Sequence, residues 1–370
     1  MRSRPNSPKS QTTTVILVRH GRSTFNDQGR YQGSSDDSVL TEKGIRTAQQ
    51  VGQSLSETPV HAIYTSPLRR VQQTNQEILQ AIARSVELNV STDLREIDLP
   101  QWQGLTYQYV KQQFADAYAC WQQRPHEFQQ PTTNATLGNV ALATKPAYPV
   151  LDLYRRAQHF WLQLMPRYQG QTVLVVAHGG TNHALISTAL GFTPQHHHSL
   201  QQSNCGTSVL EFSGQGIVLK QLNQTAALGE TLPKLKAGKQ GLRLLLIPTE
   251  EIEFHLNSLA QRLSEIPVDF CLSTEQSRTR QILKNQPQTL HLSTQNENFL
   301  CDWRQTLAQS SQRAHSVMTG VAIAPRRSIQ TLLVQTLGGS VRDHNKIHPG
   351  QLSVIHYPHA HRPIVQAVNI

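Results

Sequence analysis

The sequence is poor in cysteine and lacks the spacings with which cysteine builds metal sites. Only four cysteines occur among 370 residues, and no two of them form a CxxC pair. Scattered cysteines are typical of a reducing compartment, where they pack as small apolar residues. We therefore expect a cytoplasmic protein without a bound metal.

Long apolar runs are also missing, so the sequence predicts no membrane-spanning helix and no contact with a membrane. The first thirteen residues have no apolar centre, which argues against a secretory signal. They are basic and rich in Ser, Pro and Thr. We predict that residues 1–13 form a short disordered tail, with a transit peptide as the weaker alternative.

Acidic residues are outnumbered, and the formal net charge is +10. The basic residues are dispersed along the chain, and neither an aromatic-basic RNA-binding signature nor a zinc-finger spacing occurs. We therefore predict no binding to nucleic acid. Lysines such as Lys236 are expected to form a solvated basic surface that attracts anionic small molecules.

Two strand-like runs end in a histidine that is followed by glycine. The first run is TVILVR, which leads to His20, and the second is TVLVVA, which leads to His178. Both runs are apolar and β-branched, which predicts fully buried strands. Because ligand sites in open α/β sheets lie at the carboxyl ends of the strands, we expect the two imidazoles to face one pocket.

Strand and helix patterns alternate along the whole chain. They predict an α/β fold, a three-layer α/β/α sandwich with a mostly parallel sheet, followed by a smaller degenerate α/β repeat. The sequence indicates one domain at residues 14–224, a Gly-, Pro- and Lys-containing linker at 225–241 and a second domain at 242–370. Within the first domain, the pattern at residues 107–123 is helical, and that at residues 130–149 predicts a long loop.

The second domain repeats apolar strands of the first domain without its histidines. The segment that contains His178 aligns without a gap with residues 319–338, where Pro325 takes the place of the histidine. In the matching first strand, Thr249 takes the place of His20. A shared pattern of this kind indicates an internal repeat. We therefore expect the second domain to lack catalytic histidines.

Residues suited to phosphoryl transfer surround His20. A nucleophilic histidine needs an unprotonated ring nitrogen and cations around the transferred group. Arg19 and Arg22 flank His20, and Arg70 follows the second strand of the chain. Arginine suits phosphate because its planar guanidinium makes bidentate hydrogen bonds. The stretch LREID, which contains Glu96, adds carboxylates.

Five groups of motifs follow one another in the first domain. The motifs and their order resemble those of the histidine phosphatase superfamily, in its phosphoglycerate-mutase-like branch, over about residues 13–223. The motifs are LVRHGxS at 17–23, RYQG at 30–33 with LTExG at 40–44, SPLxR at 66–70, LREI at 94–97 with WxG at 102–104, and AHGG at 177–180.

The resemblance implies a role for each matching residue. His20 would become the phosphohistidine, and Glu96 would protonate the leaving oxygen and then activate water. Such a mechanism needs neither a metal nor another cofactor, and its partner is a small phosphorylated substrate. The other matches are expected to contact phosphoryl oxygens: Arg19, Arg70 and His178 directly, and Asn26, Gln32, Gly33 and Gly179 as further contacts.

Some of these residues have a second interpretation. Asp98 competes with Glu96 for the acid role, and Asn26 is equally well a turn former. The three histidines at 196–198 invite a metal site, but adjacent histidines after Pro194 in a loop predict a solvated segment.

The predicted function is a metal-independent phosphomonoesterase. The alternatives are a cofactor-dependent phosphoglycerate mutase and a non-enzymatic phospholigand-binding scaffold. Mutases of this family carry a more basic segment after the acid, and here that segment is Gln- and Thr-rich, which favours the phosphatase. The intact set of charged residues argues against the scaffold for the first domain. The oligomeric state stays open.

Overall fold

The structure is a computed structural model. It describes residues 12–82, 85–131, 136–137, 140–141, 146–236, 238, 240–273, 276–284, 286, 290–293, 316–339, 347–359 and 361–370. Most of the predicted tail, residues 1–11, lies outside the described residues. Among the residues that are described, no helix is both long enough and apolar enough to cross a bilayer.

The first half of the chain alternates strands and helices, as the sequence predicts. Its strands are β1 (Thr13–Arg19), β2 (Ala62–Thr65), β3 (Glu87–Val90), β4 (Gln130–Pro131), β5 (Thr136–Leu137), β6 (Val140–Ala141), β7 (Pro146–Ala147), β8 (Thr172–Ala177), β9 (Thr207–Ser213) and β10 (Gly216–Gln224). Its helices are α1 (Thr24–Asp27), α2 (Glu42–Ser54), α3 (Arg69–Ile82), α4 (Tyr107–Gln113), α5 (Ala115–Gln123), α6 (Pro149–Leu164) and α7 (Gly179–Leu190).

Six of these strands form one sheet in the order β10-β9-β1-β8-β2-β3. The four strands β1, β8, β2 and β3 are mutually parallel, and β9 and β10 join antiparallel at one edge. The register pairs Arg19 with Ala177, so β1 and β8 end level with each other. This alignment brings the residues that follow the two strands to the same edge of the sheet.

Helices cover both faces of this sheet. Successive residues of β1 point to opposite faces, and Val15 and Ile16 accordingly belong to two different apolar clusters. One cluster includes Ala48 of α2 and Ile78 of α3, and the other includes Leu153 of α6. The α/β/α sandwich predicted from the sequence is confirmed.

Two local predictions in this half need a correction. Residues 107–123 are helical as predicted but form two helices, because the backbone of Phe114 leaves the helical region at φ −124° and ψ 44°. Residues 130–149 contain short ladders instead of a plain loop, since β4 pairs with β7 and β5 pairs with β6. The pairing of Gln130 with Ala147 closes this segment at its base.

The second half forms another six-stranded sheet in the order β13-β12-β14-β11-β15-β16. Its strands are β11 (Gly241–Pro248), β12 (Phe270–Ser273), β13 (Leu290–Ser293), β14 (Val317–Ala324), β15 (Ser353–Tyr357) and β16 (Ile364–Ala367). Its helices are α8 (Leu256–Leu263), α9 (Gln276–Ile282) and α10 (Arg326–Leu337).

The two sheets have the same strand order and the same strand directions when β1 is matched with β11 and β8 with β14. A backbone hydrogen bond is also shared. His20 N donates to Ala177 O at 2.9 Å, and Thr249 N donates to Ala324 O at 3.0 Å. Thr249 therefore occupies the position of His20 in the second sheet. The origin of the second half as a degenerate copy stays a prediction.

The two halves are joined by backbone pairing and by a common apolar core. Leu200 bridges to Val365, and Leu222 bridges to Val368. Asn223 Nδ2 donates to the carbonyl oxygen of Gln366 at 2.7 Å. One apolar cluster runs from the first sheet into the second. The second half is thus packed against the edge of the first.

Candidate active site

His20 and His178 lie side by side at the carboxyl ends of β1 and β8. Their ring centroids are 5.3 Å apart, with an interplanar angle of 64°. Both side chains are buried, at 1% and 0% exposure. The two histidines, which are remote in sequence, therefore meet at one edge of the sheet.

The environment of His20 leaves one ring nitrogen available for attack. Its Nδ1 lies 2.7 Å from the carbonyl oxygen of Gly21, an acceptor, so Nδ1 carries the proton and Nε2 keeps its lone pair. Burial lowers the pKa of His20 well below its ordinary value, and the charges of Arg19 and Arg70 lower it further. The imidazole is therefore neutral at neutral pH, as a nucleophile requires.

Glycine allows the loop after His20 to pack against helix α2. A Cβ at Gly44 would lie 2.2 Å from the carbonyl oxygen of Arg22, and a Cβ at Gly21 would lie 2.6 Å from the carbonyl oxygen of Gly44. Larger residues would push the loop away from the helix. Thr41 Oγ1 caps the same helix by accepting from Gly44 N at 3.1 Å. The LTExG motif therefore holds the His20 loop in place.

Arg19 and Arg70 supply the positive charge beside His20. Arg70 is 1% exposed, and its Nη1 and Nη2 donate to the carbonyl oxygens of Ser35 and Gly33 at 2.8 and 2.9 Å. Arg19 Nη1 donates to the carbonyl oxygen of Gln202 at 2.8 Å. Neither guanidinium forms an ion pair with a carboxylate of the described residues. Their charges remain available to an anion.

Three buried nitrogen atoms at this place have no hydrogen-bond partner among the described residues: Arg19 Nε, Arg70 Nε and His178 Nδ1. The other ring nitrogen of His178, Nε2, lies 2.8 Å from Ser66 Oγ. Buried donors without partners are costly in a folded protein. A phosphoryl group, with its several acceptor oxygens, is a ligand that would satisfy them.

Glu96 lies across the site at the N-terminus of α7. Its carboxylate accepts hydrogen bonds from Gly180 N at 3.1 Å and from Thr181 N at 3.2 Å. A Cβ at Gly180 would lie 2.6 Å from Glu96 Oε1, so only glycine permits this approach. Asp98, the alternative acid, is exposed and accepts from Ser34 and Gln103 instead. The geometry therefore favours Glu96 over Asp98.

A cavity of about 440 Å³ opens in front of His20. Every site residue predicted from the sequence contributes to its wall except His178, which lies beside His20. Asn26 has a structural role as well, because its Oδ1 accepts from Ser23 N and from Asn204 Nδ2. The predicted residues in the wall are Arg19, His20, Asn26, Gln32, Gly33, Arg70, Glu96 and Gly179.

One expectation about basic residues is wrong. His197 and His198 do not form a solvated segment, because they line the cavity and pack against Trp121. Lys236 is exposed along much of its length, as expected, but its ammonium group enters the cavity and donates to the carbonyl oxygen of Gln202. These residues are placed at the cavity by contacts with distant parts of the chain. No group of three or more potential metal ligands occurs among the described residues.

Further residues of this site were not predicted from the sequence. Ser66 contacts His178, and Thr181 contacts Glu96. Asn204 Nδ2 donates to the carbonyl oxygen of His20 at 3.0 Å. Ser66 stands in the SPLxR motif, which could have pointed to it. Asn204 stands in no motif. His183, which lines the cavity, stands in none either.

Comparison with known proteins agrees with this geometry. Residues 15–225 match the model of the histidine phosphatase superfamily, branch 1. The chain belongs to this superfamily. The resemblance inferred from the five groups of motifs is thereby confirmed, and the matched residues end where β10 ends.

Several histidine phosphatase relatives bear the names of phosphatases. The chain is 40% identical over 220 residues to a probable 2-carboxy-D-arabinitol-1-phosphatase of Arabidopsis thaliana, and the alignment covers 58% of this chain and 42% of the relative. It is 36% identical over 249 residues to the 2-carboxy-D-arabinitol-1-phosphatase of Triticum aestivum, and that alignment covers 66% of this chain and 47% of the relative. The chain thus spans less than half the length of these plant relatives.

A shorter relative is matched almost completely. The chain is 32% identical over 218 residues to phosphoserine phosphatase 1 of Hydrogenobacter thermophilus, which covers 58% of this chain and 94% of that protein. Proteins named 2,3-bisphosphoglycerate-dependent phosphoglycerate mutase also match, over a shorter stretch. The superfamily membership alone does not separate these two activities.

Proposed function

We propose that the protein is a metal-independent phosphomonoesterase that acts on a small phosphorylated metabolite through a phosphohistidine. The observation that carries this proposal is the pairing of a neutral His20, with Nε2 unprotonated, with the unpaired cations Arg19 and Arg70. Phosphoryl transfer depends on positioning and on stabilisation of charge, and this site supplies both.

The reaction proceeds in two in-line steps. In the first, His20 Nε2 attacks phosphorus, the P–O bond to the leaving group breaks, and the leaving oxygen receives a proton from the carboxylic acid of Glu96. In the second, water attacks phosphorus, the P–N bond breaks, and the Glu96 carboxylate accepts the proton of the water. Phosphate is released and His20 is regenerated.

The part of the cavity wall formed by residues that follow Glu96 in the sequence supports hydrolysis rather than the phosphoglycerate mutase reaction. Between Ile97 and Gln122 the residues that line the cavity are uncharged. A mutase must hold a second phosphate and keep water from the phosphohistidine. Two cations from elsewhere, Lys236 and Arg362, also line the cavity and keep the mutase as the second candidate.

The nucleophile is tested by His20→Ala in the full chain, with His359→Ala, an exposed histidine, as the matched control. We expect His20→Ala to abolish both phosphate release from an aryl phosphate and acid-labile labelling of the protein, while the control keeps both. Turnover of His20→Ala at a near-native rate would show that the covalent mechanism is wrong.

The choice between phosphatase and mutase is tested with 3-phosphoglycerate and a bisphosphoglycerate primer. We expect free phosphate as the main product. Rapid formation of 2-phosphoglycerate without phosphate release would assign the protein to the mutases instead.

A further inference from the structure

Lys236 brings a third cation into the cavity from outside the histidine phosphatase region. The family match covers residues 15–225, and Lys236 lies beyond it in the segment that reads as a linker. Much of the residue is exposed along its length, but its Nζ donates to the carbonyl oxygen of Gln202. The same carbonyl accepts from Arg19 Nη1. The ammonium group of Lys236 and the guanidinium group of Arg19 therefore donate to the same carbonyl oxygen.

The segment that carries Lys236 is held from both sides. Gln201 Nε2 of the first half donates to the carbonyl oxygen of Lys234 at 2.9 Å, and Gln366 Nε2 of the second half donates to Gln201 Oε1 at 3.0 Å. Arg243 of β11 donates to the carbonyl oxygen of Pro233. The second sheet thus fixes the position of Lys236 in the cavity.

The charge of Lys236 is not matched by an ion pair. Burial of its ammonium group and the charge of Arg19 lower the pKa of Lys236 well below its ordinary value, whereas Glu230 raises it, so an anion beside the ammonium group would stabilise its charged form. No carboxylate of the described residues forms an ion pair with it, whereas the neighbouring Lys234 pairs with Glu230 at 3.0 Å. A phosphoryl group on His20 would engage Arg19 and Arg70. It would leave the ammonium group unmatched beside it.

Part of the cavity wall carries no charge that could balance Lys236. His183, His197 and Trp121 form part of this wall. Burial lowers the pKa of His183 to about 3 and that of His197 well below its ordinary value, so both rings are neutral. Neutral side chains together with two further cations, Lys236 and Arg362, suit a substrate that carries a second anionic group a few bonds from its phosphate.

We propose that Lys236 binds a second anionic group of the phosphomonoester, a carboxylate, and makes the enzyme select phosphorylated carboxylic acids. This inference rests on the proposed phosphatase function. It makes the second half of the chain a part of the substrate site, because that half positions the selecting residue.

The test compares substrates that differ only in the carboxylate. O-Phosphoserine is paired with O-phosphoethanolamine, and 3-phosphoglycerate is paired with glycerol 3-phosphate. The full chain is assayed as wild type, as Lys236→Met, which keeps length and removes charge, and as Lys236→Arg, which restores charge. Lys234→Met is the matched control, because that side chain is exposed and ion-paired outside the cavity.

We expect the wild type to prefer the carboxylate member of each pair in kcat/KM. Lys236→Met should lower this preference about tenfold or more, mainly through KM, and Lys236→Arg should recover most of it. Lys234→Met should keep the wild-type preference. An unchanged preference in Lys236→Met would overturn the proposal, as would an equal loss on both members of each pair.

Two further arms separate the remaining explanations. Glucose 1,6-bisphosphate and glucose 6-phosphate differ by a second phosphate. If Lys236→Met lost the preference for the second anionic group only in this pair, the second group would be a phosphate and the carboxylate assignment would be wrong. If the wild type released no phosphate even from an aryl phosphate, the proposed function would fail. Calorimetric binding of the carboxylate pairs to wild type and Lys236→Met would then still decide the role of Lys236.

Discussion

Replacing Gly180 by alanine should separate the acid role of Glu96 from the stability of the fold. A Cβ at this position would lie 2.6 Å from Glu96 Oε1 and 3.4 Å from its Cδ. Restoring an ordinary van der Waals separation requires the carboxylate to retreat by about 1 Å. The side chain can do so, because its end is flexible, but the hydrogen bond from Gly180 N would be strained.

The expected magnitude follows from this displacement. A misplacement of about 1 Å in a catalytic group costs roughly 100-fold in rate. We expect Gly180→Ala to lower kcat/KM by roughly that factor for alkyl phosphates, whose leaving oxygen needs a proton. Aryl phosphates should lose much less, because their leaving groups depart without protonation. Stability should not fall, since alanine is favoured over glycine in a helix by up to about 1 kcal/mol.

The assay is a double-mutant cycle with Glu96→Gln, followed on one alkyl and one aryl phosphate. If Gly180 acts through Glu96, Gly180→Ala should cause little further loss in the Glu96→Gln background. Thermal melting shows whether each variant is folded. Additive losses would refute the inference that Gly180 acts through Glu96. An equal loss on both kinds of substrate in Glu96→Gln would refute the assignment of Glu96 as the acid.

Three other predictions concern stability, metals and His178. Burial lowers the pKa of His183 from 6.5 to about 3 and that of His198 to about 4. The unfolded chain therefore binds more protons below pH 6.5, and stability should fall by about 3 kcal/mol between pH 7.5 and 5.5 from these two histidines. Urea unfolding at both pH values checks this, and equal stability would contradict it. Because arginines supply the positive charge, activity should survive a chelator and fall with vanadate; loss in chelator with rescue by a divalent ion would reverse this expectation. Ser66→Ala leaves Nε2 of His178 without its partner and should cost about 1–3 kcal/mol of unfolding free energy in urea titration, with Ser54→Ala at the exposed end of α2 as a near-neutral comparison.

The sequence was sufficient to predict the parts of the site that are set by local pattern. Apolar runs before His20 and His178 specify buried strands, and parallel pairing brings their ends together. Arg70 could be predicted because it follows a strand in the same way. Glu96 needed the family motif, since its approach to the helix depends on Gly180, more than eighty residues away.

The positions of Lys236, His197 and His198 at the cavity could not be predicted, because they depend on non-local contacts. A segment with Gly, Pro and Lys reads as a solvated linker unless its backbone finds partners elsewhere. Here Gln201 and Gln366 supply them. His198 is drawn inward by a hydrogen bond to the carbonyl oxygen of Trp121, 77 residues away. Sequence periodicity contains no record of such pairings.

The apolar cluster that runs through both sheets has a consequence for cooperativity. Leu222, Leu244 and Val365 belong to the same cluster as Val15, so neither half can lose its packing without exposing side chains of the other. The described chain should therefore melt in a single transition, with no temperature at which one half is ordered and the other unfolded. A destabilising substitution in the second sheet would then lower the population of molecules with a folded active site.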